Sequence, residues 1–97
     1  MKSLTDLKII LDEIISVLSV ARENNWIGAM KNFRIRCDLV SNSADQKELI
    51  VDLIRIFGGM GSFSDLVLYH QGTLMQKETI RLDTLRKRLF ETAKKLR

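Results

Sequence analysis

A glycine-rich segment between two apolar helical stretches carries the residues with the clearest potential for chemistry. It reads Gly58-Gly59-Met60-Gly61-Ser62-Phe63-Ser64-Asp65-Leu66 and holds three of the five glycines of the chain. The exposed N–H groups of such a backbone can bind anions such as phosphate. However, no strand is expected before the segment, no lysine follows in G-K-[ST] spacing, and the G-x-G-x-x-G pattern is not met. We therefore expect a helix end and a tight turn, with Phe63 in the core.

The single histidine, His70, lies close in sequence to Asp65 and to Ser62 and Ser64, so the residue types of a hydrolytic triad are present. These types are common, and the strained turn that presents a catalytic serine is not evident in the sequence. A metal site needs several converging ligands, and the other soft ligand, Cys37, is distant along the chain. We expect a buried, inert Cys37, no catalysis, no bound metal and no cofactor.

The segment between the third and last helices is the predicted binding surface, because loops held by a rigid scaffold often carry function. Another protein is the expected partner. The candidate binding residues are Gly59, Met60, Gly61, Ser62, Asp65, Tyr69 and His70.

The basic C-terminal helix gives an alternative function. Residues 77–97 carry eight basic and three acidic side chains, while the rest of the chain is slightly acidic. A nucleic-acid-binding regulator would use a basic face formed by Arg81, Arg86, Arg88 and Lys95. No pair of recognition helices and no aromatic stacking platform accompanies this face, so nucleic acid is the less favoured partner.

Apolar residues at helical spacing predict the elements that position these residues. The expected helices run from about Leu4 to Asn24, from Trp26 to about Val40, from Ser43 to about Phe57, and from about Thr73 or Lys77 to Leu96. With short connections, they predict an all-α fold, a four-helix antiparallel bundle with an ordered glycine-rich loop between helices three and four. Residues 1–97 are expected to form one domain.

Helix ends are predicted from capping residues. Asn24 or Asn25 is expected to adopt a left-handed conformation after the first helix or to cap the second. Ser43, followed three residues later by Gln46, fits a capping box for the third helix. Gly58 is expected to have positive φ after that helix, with a side-chain oxygen of the following serines or Asp65 bound to a nearby backbone N–H.

Packing expectations follow from the apolar stripes. The predicted core contains Trp26, Phe33, Leu53, Phe57 and Leu85. The stripe on the first helix is wide enough to need more than one neighbour, which favours a homodimer. Gly28 is expected to allow close approach of another helix near Trp26. The apolar run at residues 66–69 could form a strand, but no partner strand is evident.

Composition and length bound the class of protein. The chain has 97 residues, 45% of them hydrophobic, one cysteine and no proline. These values predict a globular domain rather than a disordered or disulfide-stabilised one. No apolar run approaches the roughly 20 residues of a membrane span, and no signal peptide is evident, so a cytoplasmic location without membrane contact is expected.

The glycine-rich segment resembles the G-G-M-G-S-F-[NS]-D-L signature of a family of small, uncharacterised bacterial helical proteins. The preceding helical stretch, residues 49–57, and the earlier element Asn25-Trp26-Ile27-Gly28-Ala29-Met30 are also similar to that family. The resemblance covers roughly residues 5–70 and implies no catalytic residue. The family offers no established activity to carry over, and toxin neutralisation by an immunity protein is an expectation by analogy with other short bacterial proteins of this kind. For the chain as a whole we expect a non-catalytic protein–protein interaction module, with toxin neutralisation as its specific form.

Overall fold

The computed structural model describes residues 2–58 and 62–97, which form four α-helices, a short 3₁₀ turn and one hairpin. The helices are α1 (Thr5–Val20), α2 (Asn24–Leu39), α3 (Ser43–Arg55) and α4 (Gln76–Leu96). The 3₁₀ turn is Phe63–Asp65, and strand β1 (Tyr69–His70) pairs with strand β2 (Thr73–Leu74) in antiparallel fashion. The predicted all-α class is confirmed, with this small hairpin added.

The helices form a bundle in which each helix has two neighbours. α1 packs against α2 and α4, and α3 packs against the same two helices on the other side. Ion pairs join Lys8 to Asp38 and Asp12 to Arg34, so α1 and α2 run antiparallel. This arrangement encloses one apolar core between the four helices and the connection from α3 to α4.

Every helix contributes buried side chains to the core because its apolar residues recur at helical spacing. The fully buried large side chains include Leu7, Leu11, Ile14 and Leu18 of α1, Met30 of α2, Leu49, Ile50 and Leu53 of α3, and Leu82 and Leu89 of α4. Of the residues predicted to form the core, Phe33, Leu53 and Leu85 are buried, whereas Trp26 and Phe57 are partly buried against it.

The wide apolar stripe of α1 is covered within the chain. Ile10 and Val17 are buried, and Ile15 is partly buried against the core. Ile9 remains 48% exposed. The two neighbours that the stripe requires are α2 and α4, so the packing of α1 gives no reason for a second copy of the chain.

The turn between α1 and α2 is built on Arg22 instead of an asparagine. Arg22 has a φ of 57°. Its N–H donates to the Ser19 carbonyl at 3.2 Å, and the Glu23 N–H donates to the Leu18 carbonyl at 3.0 Å. This pair of bonds is a Schellman motif, which satisfies carbonyls at the helix end. The expectation that Asn24 or Asn25 ends the first helix was wrong; Asn24 begins α2.

Both ends of α3 also differ from the expectations. The cap is Asn42, whose side-chain oxygen accepts from the Asp45 N–H at 2.8 Å, and the predicted box of Ser43 and Gln46 does not form this cap. Helix α3 ends at Arg55, two residues earlier than predicted. Gly58 does not have positive φ, so its predicted role as a left-handed cap was wrong.

Candidate functional site

The connection between α3 and α4, here called the connector (residues 62–75), has an apolar underside that fastens it to the bundle. Phe63 is fully buried, as predicted. Its ring centroid lies 5.0 Å from that of Trp26 and 5.7 Å from that of Phe57. Leu68, farther along, is 1% exposed. Phe63 and Leu68 are therefore part of the core, and they fasten the connector to the bundle.

Arg86 of α4 holds the middle of the connector. Its side chain is almost fully buried, and Nη1 donates to the carbonyls of Phe63 at 3.0 Å and Leu66 at 2.6 Å. Nη2 donates to Oδ1 of Asp83 at 3.2 Å. Hydrogen bonds from Arg86 and from Lys87 lower the pKa of the Asp83 carboxyl. The free-energy cost of removing the guanidinium from water is thus offset by its hydrogen bonds to two backbone carbonyls and its ion pair with a carboxylate.

Further hydrogen bonds fix the two ends of the connector. The Phe63 N–H donates to the Ile56 carbonyl at 2.9 Å, and the Ser64 hydroxyl donates to the Phe57 carbonyl at 3.0 Å. At the other end, the Leu68 N–H donates to the Thr79 hydroxyl at 3.1 Å. The Met75 N–H donates to the Leu68 carbonyl at 2.9 Å. These bonds tie the connector to the end of α3 and the start of α4.

Strands β1 and β2 of the connector form a hairpin with a two-residue turn. Tyr69 is paired with Leu74, and His70 with Thr73. The turn residues Gln71 and Gly72 have φ of 51° and 79°. Positive φ at both central positions is what a type I′ turn requires, and this turn matches the twist of the strands. The expectation that no partner strand exists for Tyr69 was therefore wrong.

The connector exposes apolar side chains on its outer side, and the start of α4 adds another. Tyr69 and Leu74, which lie directly opposite each other, point to the same side and are 58% and 48% exposed. Val67 alternates with buried Leu68 and is 40% exposed, and Ile80, next to Thr79 on α4, is 60% exposed. We call these four side chains the connector patch. They make up half of the large exposed apolar side chains in the described residues.

The predicted site residues fall into three groups. Gly59, Met60 and Gly61 lie outside the described residues. Ser62 is partly buried, with its hydroxyl 2.7 Å from that of Ser64. Asp65, Tyr69 and His70 are exposed on the connector. Sequence reasoning missed Val67 and Leu74, although their spacing around Gln71-Gly72 fits a hairpin with outward apolar residues.

The side chains that could do chemistry are separated. His70 lies on the exposed hairpin, whereas Cys37 lies in the core, where burial raises the pKa of its thiol. Within residues 2–58 and 62–97, no group of three His, Cys, Asp or Glu side chains could hold a metal ion.

An apolar groove adjoins the connector between α3 and α4. Its volume is about 550 Å³, and its lining includes Ile54, Phe57 and Phe90, with Lys87 and Glu91 also present. The Phe57 and Phe90 ring centroids are 5.2 Å apart.

The predicted basic face is not a single exposed surface. Arg86 is buried under the connector, so its assignment to this face is corrected. Arg81 and Arg88 lie 3.8 and 3.7 Å from the Glu13 carboxylate of α1. Lys95 is exposed. Arg81, Arg88 and Lys95 still share one side of α4, but the acidic side chain of Glu13 neutralises part of it.

Comparisons with known proteins give one match. No helix in the described part of the chain is long and apolar enough to cross a membrane. Neither the curated proteins nor the solved structures include a match to this chain. The model of a domain family of unknown function, DUF6966, matches residues 20–76. This range begins at the last residue of α1, ends at the first residue of α4 and includes the whole connector. The chain therefore belongs to the DUF6966 domain family.

Proposed function

We propose that this chain is a non-catalytic protein-binding module whose contact surface is the connector patch. The supporting observation is the contrast between the two faces of the connector. Phe63 and Leu68 fasten its underside in the core, while Tyr69 and Leu74 remain exposed on its outside. A surface that is fixed before binding loses little conformational entropy when a partner docks.

The composition of the patch favours a protein as the partner. Tyrosine is enriched in protein interfaces because it combines a large apolar area with a polar group. Asp65 is exposed on the same connector and can supply a polar contact beside the apolar centre, whereas His70 follows Tyr69 on its strand and points to the opposite side of the hairpin. The partner surface should therefore be apolar at its centre and polar at its rim.

Neutralisation of a toxin is the specific form of this function that the sequence resemblance supports. In that case the partner is a bacterial toxin, and binding through the connector patch blocks its activity. The purified chain should then inhibit the partner at a one-to-one ratio. Inhibition should be lost when Tyr69 and Leu74 are replaced.

Affinity capture with matched variants tests the proposed surface. The full chain and a Tyr69→Ser/Leu74→Ser variant are each used as bait to capture proteins from a lysate of the native cell. The control is Ile9→Ser/Val20→Ser, which removes two similarly exposed apolar side chains from α1. A partner that binds the unchanged chain and the α1 control, but not the connector variant, supports the proposal. A partner retained equally by both variants places its binding surface elsewhere and contradicts it.

Nucleic-acid binding through α4 is the competing function, and it is supported by the net charge of residues 77–97. The ion pairs of Arg81 and Arg88 with Glu13, and of Lys87 with Asp83, reduce the charge available to phosphates. Fluorescence anisotropy with labelled nucleic acid at about 150 mM salt separates the two functions. If α4 binds phosphates, the logarithm of the binding constant should also fall with the logarithm of the salt concentration, with a slope of about −0.9 for each phosphate contact. Submicromolar binding lost in Arg81→Glu/Arg88→Glu would favour the nucleic-acid function.

A further inference from the structure

The outward face of α2 carries an apolar ridge that the bundle does not cover. Ile35 is 57% exposed and Leu39 is 70% exposed, the largest value among the large apolar side chains described. They lie one helical turn apart on the side of α2 away from buried Met30 and Cys37. This ridge is distant in sequence from the connector and shares no residue with the connector patch.

Gly28 continues the same face toward the start of α2. At about 100° per residue, Gly28, Ile35 and Leu39 point within roughly 20° of one common direction. A Cβ atom built at Gly28 meets no atom within 4 Å, and Gly28 does not have positive φ. A glycine at such a position destabilises a helix relative to alanine. The expected close approach of another helix of the same chain is therefore absent, and internal packing gives no reason for a glycine here.

We propose that this face is a self-complementary interface through which two copies of the chain form a homodimer. The two α2 helices pack antiparallel across a two-fold axis that crosses the exposed face of α2 halfway along the helix between Gly28 and Leu39. Leu39 of each copy lies over the bare backbone at Gly28 of the other. Gly28 and Leu39 are about 16 Å apart along the helix, so the axis halfway between them makes both contacts at once. A parallel pair would leave each glycine facing a glycine.

Charged groups beside the ridge agree with the antiparallel arrangement. Lys31 and Asp38 lie on the same flank of the ridge, and both are exposed. The two-fold axis places Lys31 of one copy opposite Asp38 of the other, with an offset of about 3 Å along the helix direction. Asp38 already binds Lys8 at 3.1 Å and Arg34 at 2.9 Å, yet 57% of its side chain stays exposed. The carboxylate can therefore accept a further cation from the second copy.

The size of this surface sets the strength of the expected dimer. One helix face per subunit places the interface in the small class, below about 1,200 Å², which is typical of weak or transient association. The dimer should form at high concentration and dissociate on dilution. Because the connector patch is not involved, dimerisation and partner binding can succeed or fail independently.

Sedimentation equilibrium from low micromolar to millimolar concentration tests the interface. The unchanged chain should show a monomer–dimer equilibrium. Leu39→Ser removes the side chain that contacts the other copy, and Gly28→Gln fills the space that this side chain occupies. Each variant should therefore raise the dimer dissociation constant at least about tenfold. Glutamine is a good helix former, so circular dichroism should show intact helices. Val20→Ser, a matched change at an exposed apolar residue of α1, should have no effect. A chain that stays monomeric, or a dimer unaffected by both α2 variants, overturns the proposal.

Cross-linking tests the register. A mixture of Gly28→Cys and Leu39→Cys chains should form a disulfide-linked heterodimer under mild oxidation faster than either variant alone. The native Cys37 is buried and gives little background. Faster linking of Leu39→Cys chains to each other, or no linking in the mixture, contradicts the antiparallel arrangement.

Discussion

Replacing Arg86 by methionine should loosen the connector and destabilise the whole domain. Methionine keeps an unbranched apolar stem but removes the donors that bind the carbonyls of Phe63 at 3.0 Å and Leu66 at 2.6 Å. A hydrogen bond to a charged group contributes about 1.5–3 kcal/mol, and an unsatisfied buried carbonyl adds a further penalty. Because methionine itself is well accommodated in an apolar site, we expect a net loss of roughly 3 kcal/mol.

Urea denaturation followed by Trp26 fluorescence measures this loss. Trp26 is the single tryptophan, and its ring contacts Phe63, the anchor of the connector. With an m-value of about 1–3 kcal/mol/M, the midpoint should fall by roughly 1–3 M urea. The thermal midpoint should fall by roughly 12–24 °C for a domain of this size.

Arg88→Met is the matched control on the same helix. Arg88 is exposed and lies 3.7 Å from the Glu13 carboxylate, so its replacement should cost less than about 1 kcal/mol. If the Arg86 variant is no less stable than the Arg88 variant, the buried guanidinium does not hold the connector and our reasoning fails. An unchanged Trp26 spectrum in a destabilised Arg86 variant would also contradict it.

Four other measurements test separate features of the structure. Phe63→Ala should lower the free energy of unfolding by about 3–5 kcal/mol in urea titrations, because it leaves a cavity beneath the connector. Gly28→Ala should raise it by about 0.5–1 kcal/mol in dilute solution, since the added methyl meets no atom; a loss of stability would contradict this. Asp83 has a lowered pKa when folded, so its contribution is present above about pH 4 and disappears as the pH falls through the folded-state pKa. Asp83→Asn should therefore lose less stability than the unchanged chain during acid titration. Cys37 should not react with a thiol reagent near pH 8 in the native chain and should react in urea, because burial raises the pKa of its thiol.

The helices could be predicted from sequence because apolar residues at helical spacing indicate which face of a helix packs against the core. Leu7, Leu11, Leu53 and Leu89 lie on such stripes and are buried as expected. Helix ends were harder because several capping solutions have similar energies. The chain places Arg22 in the left-handed conformation, where an asparagine, whose short polar side chain tolerates that conformation, was expected.

The candidate site was predictable only in part, because its geometry depends on contacts between distant residues. Phe63 was correctly predicted to lie in the core, whereas the predicted conformation of Gly58 was wrong and residues 59–61 lie outside the described residues. The role of Arg86 could not be read from sequence, since a charged residue in a basic run is usually solvated. Only the tertiary structure shows that it lies beneath Phe63 and Leu66.

The anchoring of the connector has a consequence for the order of folding. The hairpin closes between neighbouring residues, and such hairpins form in about 1–10 μs. The Arg86 bonds instead join residues 20 and 23 positions apart in the chain, so they require α4 to have docked. Loop closure over this distance comes later than local closure. The connector patch is therefore completed only when the C-terminal helix is in place, and a chain in which that helix has not docked would lack it.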